Sequence, residues 1–245
     1  MKLTQLCFAT LAACSLLCSH ASGDIVIASW DTFGGTAVTD PVEVAADFAD
    51  SSVSSRIFDD ATADPLLRRI RTNQTGDTDF GNGVTLDTTL PAAANTGQLQ
   101  FYNVQTAGDT NSLFIEVVNN NADTLTFDEL LFDFQVQVQT NGTITFNSFD
   151  VSFENQDTGS STGSIGSATG LAAGLTEYSF GAGGASLASG ETGIFTIDLS
   201  GQSHLTSSGA IDNVAITGQF VAVPEPSSLA LLGLGVFGFV ARRRR

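Results

Sequence analysis

The chain has 245 residues, 42% of them apolar or aromatic, with 26 acidic residues against nine basic ones and a net charge of −17 at neutral pH. So acidic a surface repels nucleic acid and anionic lipid, which excludes nucleic acid as a partner. The three cysteines, Cys7, Cys14 and Cys18, all stand near the N-terminus, so the rest of the chain offers no disulfide, thiolate zinc site or cysteine nucleophile.

Met1 and Lys2 form a short positive start, Leu3 to Leu17 is mostly apolar, and Ser19-His20-Ala21 is a small-x-small cleavage site. The pattern predicts a signal peptide over residues 1–21, a helix removed on export. Leu11-Ala12-Ala13-Cys14 has lipobox chemistry and is a rival reading, in which Cys14 becomes a lipidated N-terminus. The exported domain, residues 22–222, contains no lysine and only Arg56, Arg68, Arg69 and Arg71 against 25 acidic residues, a net of about −21. Its carboxylates are oxygen ligands of the kind that divalent cations accept.

About 200 residues are enough for one β-sandwich with a sizeable core. The long segment Thr36 to Pro91 fits no template. Within it, Asp64 as a cap and Pro65 at the first helical position predict about two helical turns through Arg71, with Arg68, Arg69 and Arg71 on a solvated face. A grip on acidic polysaccharide is their alternative role. Gly76-Asp77-Thr78-Asp79-Phe80-Gly81-Asn82-Gly83 resembles a calcium loop, but Gly81 and Thr88 stand where an EF-hand needs an oxygen ligand and a glutamate. A flexible acidic turn is the expected reading.

From there the period is two. Leu99 to Val104, Leu113 to Val118, Leu125 to Val138, Ile144 to Phe153, Glu177 to Phe180, Ile194 to Leu199 and Ile211 to Val223 are β-branched or aromatic runs between turn residues, as strands require. Asn141-Gly142 predicts a type I′ hairpin, in which Phe132 faces Val151 and Phe134 faces Phe149. The match fails nearer the turn, where Val138 meets Thr145, so a bulge near Asn147-Ser148 or a longer loop is expected. Long strands with one apolar face call for two stacked antiparallel sheets. The fold class is therefore all-β.

Catalysis finds little support. His20 leaves with the leader, and His204 has no recognisable nucleophile or acid partner, so it reads as a loop residue. No catalytic residue is assigned. A secreted polysaccharide hydrolase, which needs two facing carboxylates, is the first alternative. An ice-binding protein is the second, although Thr124 to Thr126 and Thr143 to Thr145 are too few for a flat Thr-x-Thr array. Trp30, Tyr102 and Tyr178 are core aromatics or sugar-stacking platforms.

The last 23 residues, 223–245, have three parts. Pro224-Glu225-Pro226 is a stiff tripeptide, and the helix that follows cannot start before it. Residues 228–241 carry no charge and rise roughly 21 Å as a helix, a marginal transmembrane helix for a bilayer core of about 30 Å. Arg242, Arg243, Arg244 and Arg245 form a cytoplasmic membrane stop that can snorkel to the headgroups.

Together these parts resemble the bacterial PEP-CTERM sorting signal. The resemblance implies a membrane-embedded, cysteine-protease-like exosortase as processing partner, in a bacterium that makes exopolysaccharide. It also implies export through the inner membrane, membrane anchorage before processing, and then the cell surface or extracellular matrix. The exported domain opens with Ile25-Val26-Ile27-Ala28-Ser29-Trp30-Asp31 and closes with Ala210-Ile211-Asp212-Asn213-Val214-Ala215-Ile216, which resembles jelly-roll domains of the galactose-binding type. This second resemblance implies adjacent first and last strands, a jelly-roll-like sandwich, binding of extracellular polysaccharide, and a structural Ca2+ with Asp212 as a metal ligand. The expected function is that of a non-catalytic surface or matrix protein.

Overall fold

The computed structural model describes residues 25–30, 43–59, 67–71, 98–103, 111–136, 148–172, 174–200 and 207–223. The signal peptide, the transmembrane helix and the arginine end lie outside them, as do Gly76 to Gly83, Asn141-Gly142 and His204. No helix among the described residues is long and apolar enough to cross a membrane.

Among the described residues fourteen strands follow in chain order: β1 (Ile25–Trp30), β2 (Glu43–Ala45), β3 (Phe48–Ala49), β4 (Val53–Asp59), β5 (Leu67–Arg71), β6 (Gln98–Asn103), β7 (Asn111–Asn119), β8 (Thr124–Val136), β9 (Ser148–Asn155), β10 (Ser160–Thr169), β11 (Gly174–Gly181), β12 (Ser186–Leu187), β13 (Thr192–Ser200) and β14 (Ser207–Val221). They form two antiparallel sheets packed as a jelly-roll-like sandwich. The first runs β11-β8-β14-β1-β3, with β12 beside β8, β6 beside β14 and β5 beside β6. The second runs β10-β9-β13-β7-β4-β2.

The alternation of β13, Thr192-Gly-Ile-Phe-Thr-Ile-Asp-Leu-Ser200, shows why the sheets stack. Phe195, Ile197 and Leu199 are buried while Ile194, Thr196 and Asp198 are half-buried on the other face, since successive side chains point to opposite sides. The inward rows of β7 (Leu113, Ile115, Val117) and β9 (Phe149, Val151, Phe153) join it, and all meet Leu130, Phe132, Phe134 and Val136 of β8 across the core. The first and last strands pair, with Trp30 opposite Val214 and Ile25 opposite Gly218.

Two expectations are corrected. β8 and β9 do not form a hairpin: β8 pairs with β11, β12 and β14, whereas β9 pairs with β10 and β13 in the other sheet. Phe132, Phe134, Phe149 and Val151 are all buried, but they meet face to face instead of side by side. Val138, Thr145 and Asn147, where a bulge or longer loop was expected, lie outside the described residues. Second, the stretch ending at Arg71 is not a helix; Leu67–Arg71 is a strand paired with β6, Arg69 opposite Gln100. Tertiary pairing here overrides a helix start signal that spans only two turns. Of the two readings of Trp30, the core one holds: the residue is fully buried and its indole Nε1 donates to the carbonyl of Val44 at 3.2 Å.

That bond also ties the sheets together. β2 lies in the second sheet and β3 in the first, and Asp47 N donates to the Ser29 carbonyl while Ala46 N donates to that of Ser55. The chain from Glu43 to Ala49 therefore straps one side of the sandwich.

Candidate functional site

Two regions differ from plain sandwich. The first is a bulge in β14, where pairing with β8 jumps from Asp212 opposite Asp133 to Ala215 opposite Leu131. Asn213 fills the extra position at φ 46°, a left-handed conformation that asparagine tolerates better than most residues. Its Nδ2 donates to Asp133 Oδ2 at 2.8 Å, and its backbone N donates to Asp212 Oδ1 at 3.0 Å. Here β14 also exchanges β6 for β1 as its other neighbour. Glu177, Asp133 and Asp212 lie in one row across β11, β8 and β14. Asp133, Asp212 and Asn213 are buried although they point away from the core. Among the described residues, however, no group of three or more His, Cys, Asp or Glu is gathered closely enough to hold a metal.

The second region is the outer face of the six-stranded sheet. Outward positions of the other sheet, Leu131, Asp133, Ala210, Ala215 and Thr217, are buried, but those of this sheet remain partly open to solvent. Phe114 of β7 stands opposite Phe58 of β4, and the rings stack at 5.3 Å and 27°. The Arg56 guanidinium lies 4.9 Å over the Phe58 ring, its Nε donates to Glu116 at 2.7 Å, and its second nitrogen reaches Glu43 at 3.1 Å. These carboxylates, Glu116 first, hold the Arg56 pKa above its ordinary value against the desolvation that lowers it. Toward β10 the face becomes hydroxyl-rich: Ser164 faces Ser152, Ser152 faces Thr196, and Thr196 faces Phe114. Asp150 stands directly opposite Asp198.

Sequence reasoning passed over Arg56, Phe58, Phe114 and Glu116. One signal was present: Phe114 sits between inward Leu113 and Ile115, so strict alternation turns an aromatic ring outward. Tyr178 is half-buried on the core side, edge-on to Phe149 at 4.9 Å and facing Phe132 and Phe180. The side chain of Tyr102 and those of Arg68, Arg69 and Arg71 are not described. Pro224, Glu225, Pro226 and Arg242 to Arg245 lie outside the described residues.

Among curated proteins, none matches the chain in sequence. Among solved structures, the chain is similar to TmCBM61 in complex with β-1,4-galactotriose at 9% identity and a TM-score of 0.35, over 77% of this chain and 95% of that one. It is also similar to the K3 cleaved adhesin domain of Lys-gingipain from Porphyromonas gingivalis, at 10% identity and TM-score 0.38 over 80% and 99%. The CBM22-1–CBM22-2 tandem domain of Xyn10C from Paenibacillus barcinonensis shares 12% identity at TM-score 0.38, over 86% of this chain and 50% of that one. Nothing about ligand follows from likeness at this level. Residues 222–245 match the family of the PEP-CTERM protein-sorting motif. The chain therefore carries a PEP-CTERM sorting signal, the mark of an exported protein that is sorted at the membrane.

Proposed function

We propose that the chain is a non-catalytic surface or matrix protein that binds extracellular polysaccharide through the outer face of its six-stranded sheet. The observation that carries this reading is the contrast between the two outer faces: the first has a buried centre at Leu131, Asp133, Ala210, Ala215 and Thr217, while the other stays partly open and offers a stacked Phe58–Phe114 pair beside rows of serine, threonine and carboxylate side chains. An apolar ring face with hydroxyls around it suits a sugar, which presents C–H patches and hydroxyls together. Sorting precedes binding: an exosortase-type membrane enzyme reads Pro224, Glu225 and Pro226, Arg242 to Arg245 hold the tail at the cytoplasmic side, and processing frees the domain to the surface or matrix. Asp212, facing Asp133 at the β14 bulge, is the proposed ligand of a structural calcium ion.

The test is binding of the full chain, in detergent, to exopolysaccharide from the host. Phe114→Ala is expected to weaken binding roughly tenfold and to lower the melting temperature only modestly, leaving the fold intact, since that ring is half-buried on the solvent side and its stack on Phe58 is worth about 0.5 to 1.5 kcal/mol. Unchanged binding by this variant would remove the open face from the proposal.

A further inference from the structure

The open face of the six-stranded sheet also carries an unusual charge pattern. Asp150 and Asp198 occupy paired positions on β9 and β13. Cβ atoms so placed are about 4.5–5.5 Å apart, and like charges there repel. The described hydrogen bonds to these carboxylates come from serines: Ser164 donates to Asp150 at 2.6 Å, and Ser112 donates to Asp198. Neither carboxylate has an ion pair among the described residues, where Arg56 alone forms such pairs, with Glu43 and Glu116. Glu154 adds a further carboxylate on β9. The face is therefore strongly acidic, and the single described cation on it is already committed.

An anionic glycan is repelled by such a face, and a neutral one gains nothing from its charge. A glycan with free amines gains in two ways. Each ammonium brings three donors for carboxylate oxygens, and its charge relieves the repulsion between the paired aspartates. The geometry is suitable as well, because the phenylalanine pair begins on β7, two strands and about 10 Å from β9, so one chain can lie across both features.

We infer that this face takes an amine-bearing polysaccharide, one built of partly or wholly N-deacetylated amino sugars, with Asp150 and Asp198 holding the ammonium group. The inference rests on the glycan-binding reading above and names the sugar class for the same face.

Glucosamine oligomers, their fully N-acetylated counterparts and a uronic-acid oligomer are titrated against the full chain in detergent, at low and high salt. Glucosamine oligomers are expected to bind best, and to weaken as salt rises. Asp198→Asn should weaken them roughly tenfold, the scale of one charge-assisted hydrogen bond. Its melting temperature should hold or rise, because the substitution relieves a like-charge pair. Glu129→Gln, which removes the same charge from the outer face of the other sheet, should leave binding unchanged within about twofold. Equal binding of acetylated oligomers, or equal loss in the two variants, overturns the amine assignment and leaves glycan binding standing. Failure of every oligomer and of the host exopolysaccharide overturns both.

Discussion

Phe134 and Phe149 lie with ring centroids 5.4 Å apart although they belong to different sheets. Phe149 also meets Phe132 at 5.6 Å, so one ring from the second sheet sits among the rings of the first. Such a cross-core contact links the sheets where no backbone hydrogen bond can. Phe134→Ala and Phe149→Ala should each cost about 3 to 5 kcal/mol. Because the two rings touch, a double-mutant cycle by chemical denaturation should give a coupling of about 0.5 to 1.5 kcal/mol. Simple additivity would mean that the rings do not meet.

The same pair shows what the sequence could tell. That Phe132, Phe134, Phe149 and Val151 belong to a shared core was legible from period two alone, because each strand shows one apolar face. Whether two such faces lie side by side or opposite each other was not, since burial satisfies the pattern equally in both. β13 was readable for its clean alternation and β14 for its β-branched and aromatic residues. β10 was missed because Ser160-Ser-Thr-Gly-Ser-Ile-Gly-Ser-Ala-Thr169 has almost no apolar residues to alternate, and only Ile165 and Ala168 pack on the core. Asp212 was singled out from its neighbours in sequence, but its partner Asp133 is 79 positions away and became visible only through strand pairing. Arg56 and Glu116 escaped for the same reason.

At Gly218, β14 runs close against β8. A Cβ built there would stand 2.3 Å from the carbonyl oxygen of Thr126 and 3.3 Å from Ile27 Cγ1. Backbone cannot swing aside as a flexible side chain can, so Gly218→Ala should lose about 1 to 3 kcal/mol. At Gly181 the nearest atom is 3.9 Å away, and alanine there should stay within about 0.5 kcal/mol. Urea denaturation of the two variants compares them directly, and equal midpoints would contradict the packing of these strands.

Tyr178 gives the domain an alkaline limit. Burial raises its hydroxyl pKa above the ordinary value, and a hydrogen bond with Thr176 offsets part of that rise. The unfolded chain therefore releases this proton first, near pH 10, while the folded chain still holds it. Above about pH 10 the unfolded state binds fewer protons, so stability falls as pH rises through the folded pKa. Below that point the group has no effect on the slope. Tyr178→Phe removes the effect and should flatten the decline between about pH 9 and 11. Tyr102 remains in both proteins, so it cancels from the comparison. Identical slopes would show that Tyr178 is not the group responsible.

The proposed sorting route assigns recognition to Pro224, Glu225 and Pro226 and anchorage to residues 228–241, whose 14 uncharged residues are few for a bilayer core of about 30 Å. Replacing the three by alanine should impair processing and leave membrane insertion intact. Fractionation of the host, with the mass of the C-terminus followed by spectrometry, distinguishes the two. Normal processing of the variant would reduce the segment to a short anchor.

The calcium proposal turns on how Asp212 responds to cations. Asp212 and Asp133 are buried and face each other beside a bulge that Asn213 holds in a left-handed conformation. Bulges commonly re-aim side chains, and this one turns an asparagine toward Asp133. A domain of charge near −21 also gains from diffuse screening, so stabilisation by a divalent ion proves little alone. The two effects differ in kind. Screening responds alike to magnesium and calcium and fades in high salt. A built site prefers calcium, which accepts six to eight oxygens in irregular geometry, and its effect on the melting temperature follows mass action. Calcium should therefore raise the melting temperature of the wild type well beyond magnesium, with a dependence on concentration that persists in salt. Asp212→Ala can lower stability for many reasons, so its cation response is the measurement that counts. That response should shrink to the level seen with magnesium. If magnesium does as well as calcium, or if the variant responds as the wild type does, Asp212 is not a calcium ligand and its burial serves the bulge alone.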